Sequence, residues 1–145
     1  CFTKKLFGVF SMRSLVPSHP LMGTQDDYFL CPQSRYAGLS DNAMEEAQRQ
    51  GRLRLLAHGE KVGYTIFETT DQRQLMHLGH PEYNAGRIVS EIERDRARGD
   101  VPPPENFDQD NPQTSWRSHR NLLFQQWLWF CYQRVSLRSS DIDTY

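Results

Sequence analysis

The sequence predicts an α/β fold, and three observations support it. Short apolar segments bounded by Gly, Pro and Asp recur through the first half, as in strands joined by tight turns. Two later segments begin at helix-capping residues and end at Gly51 and Gly99. A strand followed by a helix occupies the middle of the chain, but such alternations are too few for a complete doubly wound sheet.

The first predicted strand covers residues 5–16 (KLFGVFSMRSLV), and Pro17 closes it. A second, shorter strand is predicted at residues 28–31, within the segment DDYFLCPQSRY. We expect Pro32 to halt this strand, because proline cannot donate a ladder hydrogen bond. Together the two segments predict an early hairpin.

A helix is predicted from Ser40 to Gln50, since Ser40 can cap its first turn and Gly51 follows its last. Three short strands come next, with tight turns at 58–60 and 70–72 between them. Their predicted ranges are 53–57, 62–69 and 74–78.

The second half predicts two helices and a long loop. In the first helix, residues 84–98, arginines alternate with acidic residues, which is typical of a solvated helix face. The proline-rich residues 100–114 predict a loop, of a length that usually marks a lid or disorder. The last helix is expected from Ser115 to residue 135, and its aromatic stripe around Trp127 predicts a buried core face.

Composition narrows the classes of protein. The 145 residues are 37% apolar with a mean hydropathy of −0.73, which is polar for a self-sufficient globule. Either a portion of a larger domain or a small domain with long surface loops would have this composition. The net charge is −1 and both signs are mixed along the chain. A nucleic-acid-binding protein would show a basic stripe, so we expect no nucleic-acid partner.

Cys1, Cys31 and Cys131 are odd in number and far apart, which argues against a disulfide framework. Reduced thiols in a cytoplasmic protein are the simpler interpretation. No apolar run approaches the roughly 18 residues of a membrane span, and no signal-peptide pattern is present. The chain starts at Cys1 rather than Met, from which we expect a preceding N-terminal portion.

The segment GHPEY (79–83) carries the sharpest chemical signal, because it lies between a predicted strand and a predicted helix. A neutral His80 can take a proton from a thiol, while Glu82 holds its tautomer and stabilises the imidazolium. Pro81 favours an extended conformation at His80, and side chains two residues apart in extended chain point to the same side. An ordinary surface turn is the competing interpretation of this short motif.

A zinc site is the second alternative, since His77 and His80 form an H-x-x-H pattern. On a strand, residues three apart face opposite sides, and the sequence contains no paired cysteines of the zinc deaminase type. We therefore expect no metal ion.

Four segments together resemble the homoserine O-succinyltransferase/O-acetyltransferase family, in order and in most of their spacing. They are KLFGV (5–9), DDYFLCPQSRY (26–36), GHPEY (79–83) and SWRSHRNLLFQQWLWFCYQ (115–133). GHPEY alone is weak, because class I glutamine amidotransferases share its His-Pro-Glu. The P-x-SRY and SWRSH segments make the resemblance specific, and it covers nearly the whole chain.

The resemblance implies a class I glutamine amidotransferase-like (flavodoxin-like) three-layer domain, of which residues 1–145 would be the C-terminal portion. It implies acyl transfer from succinyl-CoA or acetyl-CoA to the hydroxyl of L-homoserine through a cysteine thioester, with no cofactor. His80 then matches the general base and Glu82 its orienting carboxylate. Lys5, Ser34 and Arg94 match substrate-binding positions. A cytoplasmic homodimer acting in methionine biosynthesis is the corresponding assembly.

Arg94 lies 12 residues beyond Glu82, about 18 Å along a regular helix. It therefore reaches the same ligand only if that helix runs beside the pocket or the substrate is long. By themselves Lys5, Ser34 and Arg94 also suit a surface cation, a turn serine and a helix-surface arginine.

The resemblance implies a nucleophilic cysteine about 20 residues before the KLFGV segment, in a strand–helix elbow. Cys1, Cys31 and Cys131 all lack that setting, so we expect the nucleophilic cysteine to lie outside this sequence. Three interpretations stay open on the residues alone. They are an acyltransferase, a glutamine amidotransferase relative using the same His and Glu, and a non-catalytic fragment with the same fold.

Overall fold

The computed structural model describes residues 4–99 and 101–140, and the side chains of this range up to residue 135. It contains a sheet and three helices. The strands are β1 (Leu6–Ser14), β2 (Tyr28–Arg35), β3 (Leu53–Gly59), β4 (Gly63–Thr69) and β5 (Leu75–His77). The helices are α1 (Asp41–Arg49), α2 (Ala85–Arg96) and α3 (Arg117–Ser140).

The sheet has the order β2-β1-β3-β4-β5, and every pair is antiparallel. β1 and β2 pair along their whole length, from Leu6 opposite Arg35 to Arg13 opposite Tyr28. β1 and β3 share only the short ladder of Arg13 and Ser14. Because this ladder is so short, the β3–β4 hairpin can fold over the β1–β2 hairpin.

The main core lies between the two hairpins. Its buried apolar side chains come from β1, β2, β3 and β4, from Leu21 and Met22 in the connection between β1 and β2, from Val62 between β3 and β4, and from Leu123 of α3. The outer faces are covered separately. Phe7 and Val9 of β1 pack against Ile88 of α2, whereas Leu55 and Phe67 pack against Met44 of α1. The fold is thus a mixed α/β arrangement with helices on the outer faces of a folded sheet.

The prediction that Pro32 ends β2 is wrong. The strand continues to Arg35, with Pro32 opposite Val9. Since β2 is the edge strand, the nitrogen of Pro32 needs no neighbouring acceptor, and an edge position is where a sheet tolerates proline. This extension brings Ser34 into a strand rather than a turn.

The predicted loop is present but is not a free lid in its described part. Glu105 forms a parallel bridge to β1, with Val9 N donating to Glu105 O and Glu105 N donating to Phe7 O, both at 2.9 Å. Gly8 lies between these bonds with φ +146°. A Cβ at Gly8 would lie 2.5 Å from Glu105 N, so the close approach requires glycine.

The helix starts were predicted well, and the buried face of the last helix only in part. Ser40 caps α1 and Asn84 caps α2, each accepting from a backbone N–H of the first turn. Of the stripe on α3 that was expected in the core, Leu123 is buried there, whereas Trp127 is 42% exposed. Among the described residues, no helix is long and apolar enough to cross a membrane.

Replacing Gly8 with Ala should test the Glu105 contact. The variant must displace the backbone of Glu105, so we expect it to lose roughly 2 kcal/mol more stability than Gly51→Ala. Gly51 is the matched control, because it also has positive φ (+70°) but nothing within 4 Å of its Cβ position. Urea unfolding of both variants measures the difference, and equal losses would contradict the proposed clash.

Candidate active site

His80 and Glu82 form a hydrogen-bonded pair on the loop between β5 and α2. His80 Nδ1 lies 2.8 Å from Glu82 Oε1. Because a carboxylate only accepts, Nδ1 carries the hydrogen and Nε2 keeps its lone pair. The His80 side chain is 33% exposed, so Nε2 can receive a proton from another group. The sequence prediction that these side chains converge is confirmed by this distance.

The loop is fixed by the edge of β2. His80 N donates to the carbonyl of Pro32 at 2.8 Å, which joins the β5 side of the sheet to its opposite edge. Gly79 permits this approach. A Cβ there would lie 2.5 Å from Gln33 Nε2 and 2.7 Å from Cys31 Sγ. A larger residue at position 79 would push His80 away from β2.

Tyr83 orients the imidazole and was not singled out from the sequence. The two rings are stacked, with centroids 4.4 Å apart and planes inclined by 19°. The Arg87 guanidinium lies 5.4 Å from the Tyr83 ring centroid, and Trp116 Nε1 donates to Tyr83 O at 2.7 Å. These contacts hold the Tyr83 ring on which the His80 imidazole stacks.

A cleft of about 390 Å³ opens beside this pair. Its apolar lining comes from Leu75 at the start of β5 and from Leu123, Phe124 and Trp127 on α3. A reactive histidine at an apolar cleft with few polar groups is the usual composition of a small-molecule site.

The predicted substrate-binding residues Lys5 and Ser34 both contact Glu91 of α2. Lys5 Nζ lies 2.9 Å from Glu91 Oε1 and 2.5 Å from Asp95 Oδ2, and Ser34 Oγ donates to Glu91 Oε1 at 2.6 Å. Lys5 is buried, which excludes the surface-cation interpretation. Ser34 lies two residues from Pro32 on β2, about 7 Å along the strand, which places this cluster near the His80 loop.

Arg94 joins the same cluster. Its guanidinium donates to Glu91 Oε1 and Asp95 Oδ1, both at 2.8 Å, and these two carboxylates raise the pKa of Arg94. Arg94 and this cluster do not line the cleft at His80, so a ligand shared by Arg94 and His80 stays a prediction that requires a long substrate. Half of the Arg94 side chain is exposed, so it can also reach a ligand.

Glu91 and Asp95 correct the expectation of a solvated helix face. Both are buried, and with Ile88 they occupy positions i, i+3 and i+7 on the inward side of α2. This spacing was the available signal in the sequence. Burial opposes ionisation of Glu91, but hydrogen bonds from Ser34, Lys5 and Arg94 outweigh it and lower the pKa of Glu91.

The Asp95 carboxylate is ionised as well, since the hydrogen bond from Arg94, followed by that from Lys5, lowers the pKa of Asp95 to about 2. Two cations and two carboxylates thus balance within the cluster. Glu91 Oε2 has no hydrogen-bond partner among the described residues, although it is buried. Within the cluster only Arg94 presents a half-exposed charged group to solvent.

Comparison with known proteins identifies the family. The family model for homoserine O-succinyltransferase matches residues 1–137. The homoserine O-succinyltransferase of Aeromonas hydrophila is 38% identical over 146 aligned residues, covering 96% of this chain and 45% of the relative. The chain belongs to the homoserine O-succinyltransferase family. The homoserine O-succinyltransferase of Vibrio atlanticus is also 38% identical to this chain, and the match covers 90% of this chain and 43% of the relative.

The chain therefore spans less than half the length of these homoserine O-succinyltransferases. Among solved structures, the crystal structure of SMU.1228c superposes with a TM-score of 0.56 at 15% identity, covering 85% of this chain and 51% of that one. This similarity concerns the fold alone, and it is consistent with the mixed α/β architecture.

The two cysteines described in this homoserine O-succinyltransferase family member lie in different environments. Cys31 is near the His80 loop, but burial, assisted by the Glu82 charge, raises the pKa of its thiol to about 12. Cys131 is exposed on α3. Cys1 lies outside the described residues.

His77 lines the same cleft in the neutral form. Its Nδ1 accepts from Gly79 N at 3.1 Å, so Nε2 carries the hydrogen. Burial lowers the pKa of His77 to about 4. Residues 4–99 and 101–135 contain no group of three side chains suited to hold a metal ion with His77 or His80.

The His77 environment predicts a pH dependence of stability. The folded-state pKa lies below the ordinary value near 6.5, so the unfolded chain takes up the proton first. Stability is fully present above about pH 6.5 and should fall by roughly 2–3 kcal/mol toward pH 4. His77→Leu should flatten this decline in urea unfolding series. Burial also lowers the pKa of His19, so some slope should remain. An unchanged slope in the variant would contradict the assignment.

Proposed function

We propose that this chain is the C-terminal portion of a homoserine O-acyltransferase, within a class I glutamine amidotransferase-like three-layer domain. The enzyme transfers an acyl group from acyl-CoA to the hydroxyl of L-homoserine, as a cytoplasmic step of methionine biosynthesis. The hydrogen-bonded His80–Glu82 pair at the mouth of an apolar cleft carries this proposal. Membership of the family supports it independently.

His80 acts as the base in both halves of the reaction. Its Nε2 takes the proton of a cysteine thiol supplied from outside residues 1–145, and the thiolate attacks the thioester carbonyl of acyl-CoA. The CoA thiolate leaves and takes the proton from the imidazolium. His80 then removes the proton of the homoserine hydroxyl, whose oxygen attacks the enzyme thioester and expels the cysteine thiolate. Glu82 stabilises each imidazolium through Nδ1.

The cluster around Glu91 suits the carboxylate of an amino acid. Homoserine carries such a carboxylate, and Arg94 is the half-exposed cation of the cluster. In our proposal the half-exposed Arg94 donates to the carboxylate of homoserine, while the buried Lys5 and Ser34 hold Glu91, which in turn positions Arg94.

We take succinyl-CoA as the acyl donor, because the relatives with 38% identity are named homoserine O-succinyltransferases. The active enzyme is proposed to be a homodimer, as the family resemblance implies. Comparing turnover of succinyl-CoA and acetyl-CoA tests the choice of donor.

Changes at the His80–Glu82 pair should slow turnover in the full-length protein that carries this chain. General-base assistance is typically worth about 10²–10⁴-fold, so His80→Ala should reduce kcat by this factor. Glu82→Gln keeps the hydrogen bond but removes the charge, and its loss should be smaller. Steady-state kinetics with homoserine and succinyl-CoA measure both. A His80→Ala enzyme with near-normal kcat would end the catalytic assignment.

Changes at the cluster should instead weaken homoserine binding. Arg94→Gln and Ser34→Ala are expected to raise the KM for homoserine about tenfold while kcat stays near the original value. Arg94 is the cleaner probe, because its side chain is half-exposed. Lys5→Ala should chiefly destabilise the fold by roughly 3–5 kcal/mol, because it leaves buried carboxylates without their cation. Unchanged KM in both binding variants would contradict the homoserine site.

Residues 1–145 alone should not form O-acylhomoserine, because the described cysteines cannot serve His80. Incubation with homoserine and succinyl-CoA, followed by mass spectrometry of the product, tests this expectation. Robust turnover that Cys1→Ser abolishes would show that the nucleophile lies within this sequence after all.

A further inference from the structure

A groove longer than the cleft at His80 runs along α3. The cleft adjoins a second cavity of about 850 Å³, and Leu75 and Trp127 line both. We call the two cavities together the Trp127 groove. Phe124 lines its first part and Arg134 its second, and these positions are about 15 Å apart along the helix axis. The groove therefore suits a long and narrow ligand.

The polarity of the Trp127 groove changes from one end to the other. At His80 the wall is mostly apolar, with Leu75, Phe124 and Trp127, and the Glu82 carboxylate that also lines it is hydrogen-bonded to His80. At the far end it carries the guanidinium groups of Arg73 and Arg134. A ligand that fits has a neutral end at His80 and a negatively charged end about 15 Å away along α3.

Arg134 is held in place without losing its charge. Its guanidinium lies 4.4 Å from the Phe130 ring centroid and donates to the carbonyl and side-chain oxygens of Gln72. None of these described contacts carries a negative charge. Arg73 has an exposed side chain, with Asp71 3.8 Å away. Both guanidinium groups can therefore donate hydrogen bonds to the oxygens of a phosphate.

Glu68 also lines the far cavity, but its charge is already engaged. Glu68 Oε1 lies 3.1 Å from His19 Nε2 and 3.9 Å from Arg54. The Glu68 side chain is buried, so its carboxylate is directed to these partners rather than to the opening. The open part of the cavity keeps its positive character.

We propose that the Trp127 groove binds the coenzyme A part of the acyl donor, an inference that rests on the proposed acyltransferase function. The thioester lies at His80, the pantetheine arm crosses Leu75 and Trp127, and the phosphates bind Arg73 and Arg134. This arrangement explains why a long, narrow groove begins at the proposed base and ends at two guanidinium groups.

Equilibrium binding of CoA and of pantetheine to the full-length protein, measured by calorimetry, tests the proposal. Arg73→Gln and Arg134→Gln should each weaken CoA binding about tenfold and leave pantetheine binding unchanged, because pantetheine lacks the phosphates. Trp127→Ala should weaken both ligands. Arg49→Gln is the matched control, because Arg49 is an exposed arginine on α1 outside the groove, and it should change neither affinity. Arg73 is exposed, so its variant keeps the test valid even if Arg134→Gln unfolds.

The outcomes separate this inference from the acyltransferase proposal. CoA affinity that is the same in Arg73→Gln and the parent protein, or no CoA binding by the parent, overturns the groove assignment. Turnover of succinyl-CoA with an unaltered KM for the donor in Arg73→Gln overturns the groove but leaves the acyltransferase standing. Arginine-dependent CoA binding without any acyl transfer to homoserine supports the groove and overturns the proposed reaction.

Discussion

The candidate site depends on the hydrogen bond that His80 N donates to the carbonyl of Pro32. This bond joins the loop after β5 to strand β2. A sheet edge normally exposes unpaired carbonyls, and the open edge of β2 offers one here. The loop after β5 uses it, so the two hairpins close over the main core at the same point that places His80. Placement of the imidazole therefore depends on the contact between this loop and β2.

The buried charges around Glu91 obey a different constraint. Removing an ion from water costs several kcal/mol, and the cost is offset only when opposite charges and hydrogen bonds surround it. Lys5, Arg94 and Ser34 supply these around Glu91 and Asp95. Such a cluster contributes little net stability, but it holds its charged groups at fixed positions.

Local sequence patterns were sufficient to predict where helices start. They were insufficient where contacts between distant residues determine the structure. Ser40 and Asn84 act within their own first turns, so their roles could be predicted. The strand character of Pro32 depends on its being at an edge, which the sequence does not reveal. His80 and Glu82 were predictable because two residues suffice to bring them together, whereas the stacking of Tyr83 on His80 was not recognised.

Helix α3 separates charge within a molecule that is nearly neutral overall. It contains four arginines and no acidic residue, while the whole chain has a net charge of −1. The remainder of the chain accordingly has a net negative charge, and α3 concentrates positive charge along one helix. Charged clefts focus the field and raise encounter rates with oppositely charged molecules, an effect that salt screens over about 10 Å. Anions approaching in dilute buffer are thus guided to the α3 side before any specific contact forms.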